Sequence, residues 1–487
     1  MPQPLDTLVY NGTVLTLDTT FSILNDGCVG IRDGRIVQVA SRQGDGSLPD
    51  AKETVDAEGG IVLPGLVNAH THLPMSLFRG LADDLPLSMW LNEHIFPAEA
   101  THITPESVAL GTLLSCGELL LAGTTTCCDG YFFEDSVAEA ARTTGLRALL
   151  GQGVIDFPAP GVSDPNDNVR HAAAFADKWQ NVDPLLKPSI FAHSPYTCSA
   201  KTLKAAKAAA SDRGLLFQIH VAETRLEFRS IRSETDETPV AYLNRLGLLD
   251  PDTLLVHAVW LDEGDLAIIS GQGATMAHCP ESNMKLASGV ASAPRWIDQG
   301  LTVGIGTDGC ASNNDLDLFK EMDMAAKLHK AHSGDPTVMD AATVLKMATI
   351  DGARAIGLDR DIGSIEIGKQ ADLIIMDVSR PHLFPLYNPI SHIVYSASGS
   401  DVRHVMVSGQ FLVRDRRLTT IDIDDIMDRV NGLATEIRQT GKSAKRLTLR
   451  RIRHAHRRQT SLDNARDRQD KQANRKANQN APYSCWI

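Results

Sequence analysis

The apolar residues of this 487-residue chain cluster in short runs along its middle part. A stretch long enough for a helix follows each run. The eight runs are Ile61–Val67, Thr124–Cys128, Leu146–Leu150, Ser189–Ala192, Leu215–Ile219, Thr253–Val256, Ala274–Ala277 and Leu301–Ile305. Eight β/α units over about 300 residues are typical of a TIM barrel. The pattern predicts a (β/α)8 barrel over residues 62–361, with a doubly wound open sheet as the alternative.

One predicted helix has clear end signals. Thr104 can cap its first turn, Pro105 suits the first helical position, and Gly123 can end it. The two ends of the chain look different, because short alternating runs there surround Asn11-Gly12, Asp33-Gly34 and Ser408-Gly409. Such pairs favour β-hairpins. We therefore expect residues 1–61 and 362–430 to form one small β-sandwich domain from both termini.

The charge of the chain is unevenly distributed. The whole chain has 47 Lys+Arg and 60 Asp+Glu, a net charge of −13. Residues 441–487 hold 13 basic and 3 acidic residues, so the other 440 residues hold 34 and 57, a net charge of −23. An acidic body argues against nucleic acid as the main partner. We expect the basic segment 440–487 to be disordered, and it leaves nucleic-acid binding open as a side activity.

The N-terminus has no signal-peptide pattern, and no apolar run reaches the roughly 18 residues of a membrane helix. The sequence therefore predicts a cytoplasmic protein. Its eight cysteines form no CxxC pair, so we expect reduced thiols rather than a metal site or disulfides.

Polar residues lie where the predicted strands end, and these ends face one mouth in a TIM barrel. They are Asn68, His70 and His72 after the first strand, His193 after the fourth, His220 and Glu223 after the fifth, His257 after the sixth, His278 after the seventh, and Thr307 and Asp308 after the eighth. Each of them alone has an ordinary structural explanation, such as a buried histidine, a helix N-terminal carboxylate or a turn aspartate. Their joint placement at one mouth favours a catalytic site.

His70 and His72 are two residues apart, so on a strand both imidazoles point to the same face. His220 and Asp308 would complete a set of three histidines and one aspartate for one divalent metal ion. Zn²⁺ is the first choice, with Fe²⁺, Mn²⁺ and Ni²⁺ as alternatives. Such an ion makes water nucleophilic at neutral pH. We assign Glu223 as a general acid/base and His257 as a donor to a developing oxyanion or leaving group.

Several segments carry a family resemblance. Residues 63–72 (LPGLVNAHTH) resemble the first-strand signature of the amidohydrolase superfamily, and residues 363–377 resemble its C-terminal motif. The resemblance covers roughly residues 5–430 and implies the same barrel with a small β-sandwich. Strand 4 ends at His193 and offers no lysine for a binuclear centre, which places the chain in the mononuclear branch of deaminases and chlorohydrolases.

Within that branch, residues 75–99, 193–199 and 278–289 are similar to those of 5′-methylthioadenosine/S-adenosylhomocysteine deaminases. The resemblance implies that Glu99 binds the ribose hydroxyls and that His193 contacts the purine or the ribose. It further implies small-molecule substrates, and relatives of this kind often form homo-oligomers. Glu223 and Asp308 would also contact the substrate.

The predicted activity is hydrolytic deamination of S-adenosylhomocysteine, 5′-methylthioadenosine or adenosine. Water would attack C6 of the adenine ring, Asp308 would accept its proton, and Glu223 would protonate N1. A guanine deaminase or a triazine hydrolase on the same scaffold is the alternative, because the metal set is shared. A non-catalytic barrel is a third hypothesis, which the complete ligand set disfavours.

Overall fold

A computed structural model of the chain describes residues 4–42 and 48–439. The predicted basic tail, residues 440–487, lies outside this range. The strands are β1 Leu5–Leu15, β2 Ile23–Arg32, β3 Arg35–Ser41, β4 Ala51–Asp56, β5 Ile61–Pro64, β6 Leu66–Thr71, β7 Thr124–Tyr131, β8 Arg147–Val154, β9 Leu186–Ala192, β10 Phe217–Val221, β11 Thr253–His257, β12 Thr275–His278, β13 Val303–Ile305, β14 Leu373–Met376, β15 Val402–Val407, β16 Gln410–Arg414 and β17 Arg417–Leu418.

The helices up to residue 395 alternate with these strands. They are α1 Leu87–Met89, α2 Phe96–His102, α3 Pro105–Leu121, α4 Glu134–Thr144, α5 Asn168–Trp179, α6 Ala200–Ser211, α7 Arg225–Thr235, α8 Pro239–Arg245, α9 Glu263–Gln272, α10 Pro280–Lys285, α11 Ala293–Asp298, α12 Leu318–Ser333, α13 Ala341–Met347, α14 Ile350–Ala355 and α15 Pro389–Tyr395. Within the part of the chain that the structure describes, none of the helices has the length and apolar character needed to cross a membrane.

Strands β6 to β13 form an eight-stranded parallel sheet in sequence order. Its edges approach each other, because Thr71 of β6 pairs with Asp308, just beyond β13. The Asp308 N–H donates to the His70 carbonyl oxygen at 3.0 Å. The strands are buried along almost their whole length, as expected for a parallel sheet covered by helices. The predicted (β/α)8 barrel is confirmed, and the open doubly wound sheet is not observed.

The first predicted barrel strand, Ile61–Val67, is wrong as a single element. The chain divides at Gly65, so that β5 joins the other sheet and only β6 enters the barrel. A side chain at Gly65 would bring its Cβ within 2.1 Å of Thr125 Oγ1. Only glycine therefore allows the backbone to cross from one sheet to the next at this point.

The other nine strands in the described residues form a mixed sheet from both ends of the chain. β14 pairs antiparallel with β5, which joins the N-terminal strands to the C-terminal ones. The predicted hairpins at Asp33-Gly34 and Ser408-Gly409 are confirmed as the β2–β3 and β15–β16 turns. The predicted hairpin at Asn11-Gly12 is wrong. Asn11 has a φ of 59° and forms an irregularity inside β1, which runs on to pair with β5.

A buried ion pair links the barrel to the mixed sheet. Arg147, at the start of β8, donates to both carboxylate oxygens of Asp372 at 2.8 and 3.0 Å. The same guanidinium also donates to Ser408 Oγ at 2.9 Å, and the Ser408 N–H donates to Asp372 at 2.8 Å. The helix after Thr104 is confirmed as α3, with Thr104 Oγ1 accepting the Ser107 N–H.

Candidate active site

The predicted strand-end residues meet at one mouth of the barrel. A cavity at this mouth is lined by every catalytic and substrate-binding residue that was assigned from the sequence. Two further predicted metal ligands also line it. These residues are Glu99, His193, Glu223, His257 and Asp308, together with His72 and His220. Apolar and aromatic side chains supply most of the remaining wall. The cavity therefore combines a small set of polar and charged groups with a mainly apolar wall, as small-molecule sites usually do.

Ligand atoms of four residues crowd together at the floor. Nε2 atoms of His70 and His220 lie 3.1 Å apart, and Asp308 Oδ1 lies 3.2 Å from His72 Nε2 and 3.8 Å from His70 Nε2. Ligand atoms of His70, His72 and His220 all lie within 4.8 Å of one another. Two imidazole nitrogens on one tetrahedral Zn²⁺ at the usual bond length would be about 3.3 Å apart. The donor spacing thus fits a single divalent ion.

The imidazoles are held in the neutral form that binds metals. Burial lowers the pKa of His70 and His220 well below the ordinary histidine value, and the neighbouring histidines lower it further. His72 Nδ1 lies 2.5 Å from the Gly130 carbonyl oxygen, so Nδ1 carries the proton and Nε2 keeps its lone pair for the site.

Asp308 is fixed in its ionised form. Burial acts to raise its pKa, but the nearby imidazoles, above all His72, hold this pKa below the ordinary carboxyl value. Ser282 Oγ and Ser312 Oγ both donate to Asp308 Oδ2 at 2.7 Å, and the Gly309 N–H donates to Oδ1 at 2.7 Å. Its backbone has a φ of 59°, which turns the chain sharply just after the last barrel strand.

Glu223 lies just after β10, two residues before α7, with 8% of its surface exposed. Its N–H donates to Glu227 Oε2 at 2.9 Å, and Ser288 Oγ donates to its Oε1 at 3.1 Å. Burial raises its pKa, and the charge of Asp308 adds to this effect, whereas His257 opposes it. A carboxyl group with a raised pKa that faces a cavity is a candidate proton donor and acceptor.

His257 ends β11 with a φ of 68° and lies close to the ligand cluster. Its Nδ1 is 3.0 Å from Asn283 Oδ1, so Nδ1 donates and Nε2 faces the site. A ligand atom of His257 lies within 4.8 Å of ligand atoms of His70 and Asp308. The structure therefore places this residue within ligand distance of the cluster, where the sequence had predicted only a proton donor.

Glu99, on α2, is buried in the cavity wall away from the ligand cluster. The Tyr131 hydroxyl donates to its Oε1 at 2.6 Å. Burial raises the pKa of Glu99 to about 7, and the bond from Tyr131 works against that shift. His193 also lines the cavity, with its ring centroid 5.3 Å from that of His220 and its Nδ1 2.9 Å from Thr197 Oγ1. Burial lowers the pKa of His193 to about 3, so it is neutral at physiological pH.

Sequence reasoning missed the residues that orient this set. Tyr131 ends β7, where the rule applied to the other strands would have found it. Ser282, Ser288 and Asn283 lie in the segment 278–289 that carried the resemblance, but their partners depend on the folded barrel. His278, one of the strand-end histidines, contacts His329 Nε2 at 2.9 Å with its own Nε2 and lies outside the ligand cluster.

A histidine and aspartate cluster at the mouth of a (β/α)8 barrel fits a metal-dependent hydrolase. Comparison with known families matches residues 61–412, more than half of the chain, to the amidohydrolase family. The chain belongs to the amidohydrolase family, as the sequence resemblance predicted.

Three proteins with named activities are similar to this chain over most of its length. The chain is 47% identical over 433 residues to a 5-methylthioadenosine/S-adenosylhomocysteine deaminase of Syntrophobacter fumaroxidans, with 89% of this chain and 98% of the relative covered. It is 41% identical to a 5′-deoxyadenosine deaminase of Methanosarcina mazei, again covering 89% and 98%. The crystal structure of an adenosine deaminase from Xanthomonas campestris with bound zinc is 38% identical and superposes with a TM-score of 0.86, covering 90% of this chain and 100% of that one.

Proposed function

We propose that this protein is a metal-dependent hydrolase that deaminates adenosine derivatives, giving the inosine analogue and ammonia. The observation that carries the proposal is one cavity in which a metal-ligand set, the protonatable Glu223 and the buried carboxyl group of Glu99 face each other. The three relatives named above are deaminases of adenosine or its derivatives, which supports the same substrate class. The principal function predicted from the sequence therefore stands.

His70, His72, His220 and Asp308 would hold one divalent ion, for which we propose Zn²⁺. When bound, this ion lowers the pKa of water so that a nucleophile is available near neutral pH. The zinc in the Xanthomonas campestris structure supports the choice of metal. Fe²⁺, Mn²⁺ and Ni²⁺ remain alternatives, because the same nitrogen and oxygen ligands accept them.

In the proposed reaction, Asp308 and Glu223 transfer the protons. A new bond forms between the oxygen of water and C6 of the adenine ring, and the Asp308 carboxylate takes a proton from that water. Glu223 delivers its proton to N1, which removes the aromatic stabilisation of the ring. The bond from C6 to the amino nitrogen then breaks, and the nitrogen leaves as ammonia with the proton held by Asp308. Glu223 regains a proton from the attached hydroxyl group, so the site returns to its starting state.

His257 and the two binding residues position the substrate. Because His257 Nδ1 is bound to Asn283, only its Nε2 can exchange a proton with the oxygen on C6. We assign Glu99 to the ribose, since one carboxylate can accept bonds from two adjacent hydroxyl groups. We assign His193, neutral and facing the cavity, to a hydrogen bond with the purine or the ribose.

A substrate panel tests the proposal. The metal-reconstituted protein would be incubated with adenosine, 5′-methylthioadenosine, S-adenosylhomocysteine, guanine and a melamine-type triazine, and ammonia release would be measured. We expect turnover of the adenosine derivatives. Turnover of guanine or the triazine without any adenosine derivative would replace our proposal with the alternative hydrolase. Stoichiometric metal binding without turnover of any of these compounds would contradict both hydrolase functions.

Cellular location, oligomeric state and nucleic-acid binding stay predictions. We propose a cytoplasmic location and a homo-oligomer. We further propose that nucleic acid is not a main partner, because the body of the chain carries a net charge of −23 when residues 441–487 (+10) are subtracted from −13. Gel filtration with light scattering would establish the oligomeric state, and salt-dependent DNA retention would reveal a role for the basic segment 440–487.

A further inference from the structure

The charges around the candidate site are all of one sign. Among the described residues that line the inner cavity there is no lysine or arginine, whereas three carboxyl groups face it: Glu99, Glu223 and Asp308. If the proposed function holds, these three groups are committed to the ribose, the purine ring and the metal. The substituent on the 5′ carbon of the nucleoside is the one part of the substrate to which no charged residue has been assigned.

An outer chamber adjoins the inner cavity on the side of the helical segment 87–96. The two spaces share five apolar or aromatic wall residues, namely Leu87, Leu91, Phe96, Tyr196 and Leu286. Phe96 lies one turn before Glu99 on α2, so this shared wall begins next to the residue assigned to the ribose. A substituent extending from the ribose towards the outer chamber therefore meets this mainly apolar wall first.

The outer chamber has one basic residue among its described lining residues, and that residue is already occupied. Lys285 Nζ lies 2.7 Å from Asp83 Oδ1, 2.6 Å from Asn314 Oδ1 and 3.1 Å from the Ala311 carbonyl oxygen. These three acceptors match the three N–H donors of a lysine ammonium group. No donor of Lys285 is left for a substrate carboxylate.

We infer, on the basis of the proposed function, that this site selects adenosine derivatives with a small, uncharged 5′ substituent. 5′-Methylthioadenosine and 5′-deoxyadenosine fit this description. S-adenosylhomocysteine instead carries a 5′ homocysteine group with a carboxylate and an ammonium group. Moving that carboxylate past an apolar wall into a chamber whose described lining holds no free cation gives it no charged partner. The methylthio group gains from the same apolar wall.

Steady-state kinetics on the wild-type holoenzyme test the inference directly. We expect kcat/KM for 5′-methylthioadenosine and 5′-deoxyadenosine to exceed that for S-adenosylhomocysteine by about tenfold or more, the value of one missing hydrogen bond to a charged group. Equal or faster use of S-adenosylhomocysteine would overturn the inference and leave the proposed function standing. Failure to deaminate any of the three compounds would overturn the proposed function itself.

A pair of variants tests whether the missing cation is the cause. Asn92 is exposed, lines the outer chamber, and makes one local bond to the Ser88 carbonyl oxygen, so it tolerates substitution. Asn92→Arg should raise kcat/KM for S-adenosylhomocysteine relative to 5′-methylthioadenosine by about tenfold. Asn92→Gln, which adds length without charge, should leave this ratio unchanged. An unchanged ratio in Asn92→Arg, or an equal change in both variants, would refute the electrostatic origin of the preference.

Discussion

Replacing Glu223 by glutamine tests the proton path of the proposed reaction. Glutamine keeps the size of the side chain and an oxygen that can accept the Ser288 hydroxyl, now 3.1 Å from Oε1. It cannot deliver a proton to N1 or recover one. General acid/base groups contribute about 10²- to 10⁴-fold to rate, which is about 3–5.5 kcal/mol of activation free energy. We expect kcat to fall by that range.

The Glu223→Gln substitution should leave metal binding unchanged. Glu223 is outside the clusters of possible metal ligands, so the metal content of Glu223→Gln should equal that of the wild type. Ser288→Ala is the matched control, because it removes the bond to Oε1 and keeps the carboxyl group. Its kcat should fall by about tenfold or less, because one ordinary hydrogen bond contributes about 0.5–1.5 kcal/mol.

Two quantities are measured on the same samples. Ammonia release at saturating substrate gives kcat, and elemental analysis gives the metal content. The pH profile adds a third, since burial raises the pKa of Glu223. Wild-type activity should decline as pH rises through that raised pKa, and Glu223→Gln should lack this limb. A Glu223→Gln variant with wild-type kcat, or with activity lost only through missing metal, would refute the assigned role.

Three further predictions concern binding and stability. His70→Ala should lose the bound metal, as elemental analysis after desalting would show, and a variant with full metal content would exclude His70 as a ligand. Because the pKa of Glu99 is about 7 and its ionised form accepts the ribose hydroxyls, KM for adenosine should fall as pH rises from about 6 to about 8. Glu99→Gln should flatten that profile, and a persistent slope would assign it to another group. Arg147→Met leaves the Asp372 carboxylate buried and unpaired, so urea unfolding should show a loss of about 3–5 kcal/mol. An Arg147→Met/Asp372→Leu double variant should recover most of this loss, and an equally unstable double variant would contradict the ion-pair explanation.

The sequence by itself determined the barrel and the polar residues at its mouth. Parallel strands are buried on both faces, so their apolar runs are continuous and visible in the sequence. Asn68, His70, His72, His220 and Asp308 follow these runs closely, and the barrel brings all strand ends to one mouth. The helix after Thr104 was equally predictable, because its cap is local.

The tertiary structure decided what depends on contacts between distant segments. Asn11-Gly12 has the local signature of a turn, yet β1 continues through it because pairing with β5 outweighs that preference. The division of the first strand at Gly65 depends on the position of Thr125.

The same is true of the site's proton chemistry. The sequence supplied the carboxyl groups, but burial and partners far along the chain set their protonation, as Tyr131 does for Glu99 and Ser288 for Glu223. Lys285, the one basic residue in the described lining of the outer chamber, is likewise occupied because it folds against Asp83. Desolvation and pairing are properties of three-dimensional surroundings, so no pattern along the chain could have given them.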